Sequence, residues 1–290
     1  LANSNYAITY VAGTLTINKA TLTVTADDKS KTYGDANPTL TYTITGYKNS
    51  ENATSAGITG APSLSTTALT GSSVGSYTIT SAANNLSADN YQFTYANGSM
   101  TVNRRAITVT AADKSKTYGD ANPTLTYAVA ADDGTTRGLY STDTLTGSLA
   151  TTATASTSVG TVAITQGTVT NANNSNYDIT YVAGTLTIDR RAITVTAADK
   201  SKTYGDANPT LTYAVAADNG TTRGLYSTDT LTGSLDTSAG VSTSVGTAAI
   251  TQGSVTNANN GNYDITYVAG TLTINRRAIT VTAEIGRAHV

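Results

Sequence analysis

The twelve residues KTYGDANPTLTY occur three times without a change, at positions 31–42, 116–127 and 202–213. The copies are parts of a longer period, because Lys31 and Lys116 are 85 positions apart and Lys116 and Lys202 are 86 apart. TLTVTA at Thr21 returns as AITVTA at Ala106, Ala192 and Ala278. YAITYVAGTLTIN at Tyr6 returns as YQFTYANGSMTVN at Tyr91 and as YDITYVAGTLTI at Tyr177 and Tyr263. A chain that is periodic over nearly its whole length is an array of like units, and this constrains the fold more than any local pattern. The period divides the sequence into the closing part of one unit (1–18), three complete units (19–103, 104–189 and 190–275) and the first strand of another (276–283). Each complete unit has the size of a small independent domain, able to bury a thin core.

That core has to be built from Val, Ile, Leu, Ala and Tyr, since there is no Trp and the only Phe is Phe93. Thr supplies roughly a fifth of the residues, well above ordinary usage. Glu occurs only at Glu51 and Glu284. Abundant Thr with few strong helix formers predicts an all-β chain.

A formal charge of −2 without a basic stripe argues against nucleic acid and against an electrostatically held membrane surface. No apolar run approaches membrane-spanning length, so no membrane insertion is expected. Cysteine is absent, which removes disulfides, thiol catalysis and cysteine-bound zinc. An extracellular life remains open, because a domain of this size does not require stapling.

The register breaks at Ala283, after which EIGRAHV replaces the expected continuation. Back-translated, residues 284–290 read as the common adapter of short-read DNA sequencing. They are treated as a scar on a metagenomic fragment and set aside, and with them His289, the only histidine.

Within one unit, AITVTA alternates Ile107 and Val109 with Thr108 and Thr110, an apolar face backed by hydroxyls. DKSKTYGDANP follows as a turn: Gly119 permits positive φ, Asp120 can bond nearby backbone, and Pro123 pushes Asn122 to an extended conformation. TLTYAVA is a second strand. The stretch ADDGTTRGLYSTDTL is the one place for a short helix, with Ser141 or Thr142 as N-cap. TGSLATTATA, GTVAITQGTV and YDITYVAGTLTI are further strand candidates, the last kinked at Ala183-Gly184. Each unit should hold five or six strands. Tyr118 is expected to cover a domain end as a partly buried ring bonded through its hydroxyl.

The units meet without a Gly- or Pro-rich linker, at paired arginines 104–105, 190–191 and 276–277 and at Lys19 alone in the first case. The arginine pairs read as solvated charges that discourage edge-to-edge strand association. Junctions this short predict domains joined end to end as a stiff rod.

These residues carry a resemblance. VTADDKSKTYGDANPTLTYTITG, then SVGSYTIT, then NYQFTYANGSMTVN resembles the MBG domain of the YGX type, and the likeness covers residues 1–283. The resemblance implies tandem small β-grasp-like domains, with Ig-like β-sandwich modules as the alternative fold. It implies a place in large bacterial cell-surface or secreted proteins, including filamentous-haemagglutinin-like adhesins, and it carries over no binding residues.

An enzyme is not expected, because the serines have no base to activate them and the pair Asp132-Asp133 becomes Asp218-Asn219 one period later. No cofactor is expected. Asp113, Asp120, Asp199 and Asp206, with Asp27, Asp28 and Asp35 in the first unit, are candidate calcium ligands near a domain end. Against them stand the ordinary use of Asp in turns, the lack of a bidentate Glu and the lack of a calcium-loop spacing. A Lys–Asn isopeptide bond lacks its usual Glu, and Thr-x-Thr stacking of the ice-binding kind needs coils far shorter than this period. The expected function is a stalk segment of an adhesin, extracellular, with neighbouring repeats as its partners. The alternative is that the repeats themselves bind host glycans or extracellular matrix.

Overall fold

The computed structural model describes residues 4–133, 137–219, 223–284 and 286. Among them the chain is all-β, with no helix, and forms three tandem repeats of one β domain. The repeat at 19–103 holds β1 (Ala20–Ala26), β2 (Lys29–Thr32), β3 (Tyr42–Thr45), β4 (Ser63–Thr66), β5 (Gly75–Ala82), β6 (Tyr91–Ala96) and β7 (Gly98–Asn103). The repeat at 104–189 holds β8 (Arg105–Ala111), β9 (Lys114–Thr117), β10 (Tyr127–Val129), β11 (Gly160–Ile164), β12 (Tyr177–Val182) and β13 (Gly184–Asp189). The repeat at 190–275 holds β14 (Arg191–Ala197), β15 (Lys200–Thr203), β16 (Tyr213–Val215), β17 (Asp236–Thr237), β18 (Gly246–Thr251), β19 (Tyr263–Val268) and β20 (Gly270–Asn275).

Each repeat has two sheets. In the first repeat they are β3-β1-β6 and β2-β7-β5-β4; in the second, β10-β8-β12 and β11-β13-β9; in the third, β16-β14-β19 and β15-β20-β18-β17. The central strand alternates as its sequence dictates: Leu22, Val24 and Ala26 of β1 are buried while the intervening threonines face away. β1 runs antiparallel to β3 and parallel to β6. The chain then turns into the second sheet, where β2 runs parallel to β7. Two helix-free sheets per repeat are the sandwich arrangement of the two expected.

The second repeat has six strands, within the expected five or six, and the other two have seven, because both long terminal strands break where they pass from one sheet to the other. Gly184 marks one such corner: a Cβ there would lie 3.0 Å from the Ala111 carbonyl oxygen, so a larger residue would require the two backbones to part slightly. TGSLATTATA forms no strand in the second repeat and only a bridge at Ala150. The expected helix is replaced by a turn with Ser141 at φ 53°, part of the stretch lying outside the described residues. Neither 7–19 nor 276–284 forms a strand, because each is one side of a ladder whose other side belongs to the same period. Of the segment 284–290, only Glu284 and Gly286 lie within the described residues, and His289 lies outside them.

The chain falls into two compact units. One comprises Leu1–Thr108, Val129–Thr146 and Thr170–Thr180, the other Val109–Ala128, Gly147–Val169 and Tyr181–Val290. The division runs inside the period 104–189, and each repeat-to-repeat junction lies wholly within one unit. In the second unit a single buried cluster runs from Ile164, Leu186 and Ile188 of one repeat to Ile193 and Val195 of the next. In the first unit Leu22 and Tyr91 form one cluster, and Ile79 and Met100 another.

Candidate functional site at the repeat junctions

The twelve repeated residues form the end of each repeat that receives the next one. Lys116 is buried and donates to the backbone carbonyls of Asp120 at 3.1 Å and Thr154 at 2.6 Å. Asn122 Nδ2 donates to Ala153 O at 2.6 Å. Lys and Asn thus tie the turn to its own repeat. Burial pushes the Lys116 ammonium below the usual lysine range, and the nearby Asp120 partly offsets this.

Tyr118, Gly119 and Asp120 face the next repeat. The Tyr118 hydroxyl donates to Asp229 Oδ2 at 2.9 Å, and the Tyr263 hydroxyl donates to the same oxygen at 2.5 Å. The Tyr118 ring meets Tyr226 and Tyr263 edge-on, with centroids 5.5 and 5.7 Å away. Gly119 has φ +88° and lies so close that a Cβ would stand 2.7 Å from the Tyr226 ring. Arg223 grips the Asp120 carboxylate with both terminal nitrogens, Nη2 at 3.0 Å. That hydrogen bond, opposed by burial and helped by the charges of Arg223 and Arg191, holds Asp120 below the usual carboxylate range.

Arg191 closes the joint. It is 5% exposed, donates from Nε to Gly224 O at 2.6 Å and from Nη1 to Tyr118 O at 3.3 Å, and pairs with Asp218 through Nη2. Asp120 lies 3.6 Å from its Nη1. The first unit repeats the arrangement within itself. Tyr33 donates to Asp143 at 2.9 Å, Arg137 holds Asp35 at 2.6 and 3.0 Å, and buried Arg105 reaches Gly138 O, Tyr33 O and Asp132.

The reading of the arginine pairs as solvated charges is therefore corrected. Arg104 and Arg190 are exposed, but Arg105 and Arg191 are buried, because backbone carbonyls and carboxylates from both repeats replace their water. Tyr118 is where the sequence placed it. Asp143, Asp229, Tyr140 and Tyr226 were missed. A signal for them was present in the chain: the segment carrying Asp132, Arg137 and Asp143 recurs in the repeats that begin Arg-Arg and is replaced by a different sequence in the repeat that begins Lys19-Ala20. There Ala20 stands at the place of Arg105, and Glu51 accepts the Tyr91 hydroxyl at 2.5 Å in the way Asp143 does for Tyr177.

The calcium candidates are not brought together. Asp113 Oδ1 accepts from Thr185 N at 2.7 Å and Asp199 Oδ1 from Thr271 N at 2.7 Å, both at sheet corners. Asp120 and Asp206 face arginines, Asp206 pairing with Arg277 at 3.3 Å. Among the described residues no three His, Cys, Asp or Glu form a group able to hold a metal ion. Added calcium is expected to leave the melting temperature unchanged in a thermal scan. A rise of several degrees that vanishes in Asp120→Asn would instead reveal a bound ion.

An open polar cleft lies beside each junction, about 470 Å³ by Tyr118, Asp229 and Asn260 and about 230 Å³ by Tyr33, Asp143 and Asn174. Their polar groups are used internally: Asn174 bonds Thr146 N, Thr146 O and Thr170 O. Burial first, and then the bond to Asp143, pushes the Tyr177 hydroxyl far above its ordinary range, and Tyr263 is raised in the same way beside Asp229. Both hydroxyls donate to the carboxylate that the neighbouring repeat's turn also engages.

Fold and site together define an array of β modules joined by a tyrosine-aspartate and arginine-aspartate interlock. The family model of the MBG domain (YGX type) matches this chain three times in tandem, at residues 22–101, 107–187 and 193–273. The chain belongs to that family. The comparison with curated proteins found no match. Among solved structures, the I9–I11 tandem from titin is similar over 88% of this chain and all of that chain, at 11% identity and a TM-score of 0.22. A likeness of that level carries no argument about this chain.

Proposed function

We propose that the chain is a repetitive, non-catalytic stalk segment of a bacterial cell-surface or secreted adhesin, extending or presenting a binding region. Its setting is extracellular and its immediate partners are the neighbouring repeats of the same chain. The observation that carries this reading is the junction. One residue, Arg104 or Arg190, separates the last strand of one repeat from the first strand of the next. Around it Tyr, Asp and Arg side chains of both repeats are locked to each other. A flexible chain extends only as the square root of its length, whereas interlocked modules extend in proportion to their number. Family membership supports the extracellular setting.

Small-angle scattering of lengths with one, two and three repeats tests the proposal. The maximum dimension is expected to rise linearly with repeat number. A slower rise means that repeats fold back on one another, and the stalk reading then fails. A glycan array run on the same protein should remain blank. Reproducible capture of one glycan class would make the modules themselves adhesive.

A further inference from the structure

The order of strands fixes how each repeat meets a pull along the chain. In the third repeat the chain enters through β14 and leaves through β20. β14 pairs in parallel with β19, from Arg191↔Tyr263 to Thr196↔Val268. β15 pairs in parallel with β20, from Lys200↔Leu272 to Thr203↔Asn275. The first and last thirteen residues of the repeat are thus two ribbons side by side, pointing the same way, through both sheets. Backbone bonds extend the ladder beyond the strands at each end: Arg191 N donates to Asn262 O and Tyr204 N to Asn275 O, each at 2.9 Å. The first repeat is built alike, with β1 on β6, β2 on β7, and end bonds from Ala20 N to Asn90 O and from Tyr33 N to Asn103 O.

A ladder that changes sheet midway would be weak at the corner. Here the corner is bridged. Asp199 Oδ1 accepts from Thr271 N at 2.7 Å, and Asp28 does the same for Ser99 N and Asp113 for Thr185 N. The aspartate supplies a cross-ribbon bond where the strand register is interrupted between Ala197 and Lys200. Gly270 lets the ribbons close there, since a Cβ on it would lie 3.0 Å from Ala197 O.

We infer that each repeat is a load-bearing module, in which the paired terminal ribbons act as a shear clamp against tension applied through its two ends. Tension draws the start of one ribbon and the end of the other in opposite directions along the ladder. All its hydrogen bonds then share the load and must fail together. If the ribbons were antiparallel neighbours joined at one end, the same pull would open them one bond at a time. Resistance to force is set by the barrier to unfolding, so a clamp raises it without requiring high equilibrium stability. The clamp itself follows from topology; that tension runs along it in life rests on the stalk reading.

The chain contains no cysteine, so attachment points can be introduced singly. Optical-tweezer handles on the full chain at Arg190→Cys and Arg276→Cys load the third repeat in shear. Handles at Arg190→Cys and Gly261→Cys pull on adjacent ribbon ends and peel the same ladder; Gly261 has open space around its α-carbon. The unfolding force in shear is expected to be at least about twice that in peeling at equal loading rate. Equal forces, or a lower force in shear, overturn the clamp. Asp199→Ala should lower the shear force and leave the peeling force, set at the Arg191–Tyr263 end, unchanged; an equal drop in both removes the corner aspartate from the clamp. These readings concern one repeat alone. A linear scattering series beside equal forces would sink the clamp and spare the stalk, and the converse pair would do the opposite.

Discussion

Gly119→Val is expected to destabilise the second compact unit by about 3 kcal/mol or more, the sum of backbone strain and collision. The residue sits at φ +88°, a region that β-branched side chains avoid, and its Cβ would lie 2.7 Å from the Tyr226 ring and 3.1 Å from Arg191 Nη1. Neither neighbour is free to retreat: Tyr226 packs on Tyr118, and Arg191 is fixed by Gly224 O and Asp218. The chain supplies its own control. Gly205 holds the same turn at φ +87°, but only the exposed Arg277 approaches it. Gly205→Val should therefore show the backbone strain alone, about 1–2 kcal/mol. Urea unfolding of the two variants measures the difference. Equal losses would mean that docking of the next repeat does not press on the turn.

Arg191→Ala carries the second large effect, a loss of about 2–3 kcal/mol. The guanidinium is buried, so its removal takes a donor from Tyr118 O and Gly224 O and an ion-pair partner from Asp218. The value sits below that of a fully buried pair because Asp120 and Asp218 are 34% and 42% exposed and recover some water. Arg191→Lys should restore only part, since an ammonium cannot reach Gly224 O, Tyr118 O and Asp218 in one planar fork. Arg277→Ala, at the same place in the period but with its side chain 58% exposed, should change stability by under about 0.5 kcal/mol. Amide exchange along 191–197 gives the local readout. Arg191 and Arg277 variants that behave alike would remove the buried arginine from the junction's energetics.

The contrast between these two arginines shows where reading the sequence stops. Strand alternation, the Gly119 turn and the covered Tyr118 ring were legible because each is dictated by residues within a few positions of one another. Burial of Arg105 was not, because its partners Asp132 and Gly138 lie far along the same repeat and Tyr33 O belongs to the preceding one. Charge alone placed it in water. The strand breaks at the sheet corners were half legible: Gly184 announced a kink, but not that the strand leaves one sheet for another. Asp113 illustrates the remaining difficulty. A carboxylate near a domain end fits a calcium ligand and a backbone acceptor equally well by spelling, and only the position of Thr185 N separates them.

The interlock has a genetic consequence. Its two halves, the Tyr-Gly-Asp turn and the segment carrying Arg, Tyr and Asp that receives it, lie on consecutive periods, and the turn is spelled identically in all three copies. An unequal crossover between aligned copies inserts or deletes one whole period. Where the copies exchanged are those that begin Arg-Arg, each turn in the product is still followed by a segment that fits it, so the array changes length without a mismatched joint. Length becomes a quantity that recombination can vary in whole steps, with no compensating substitution required.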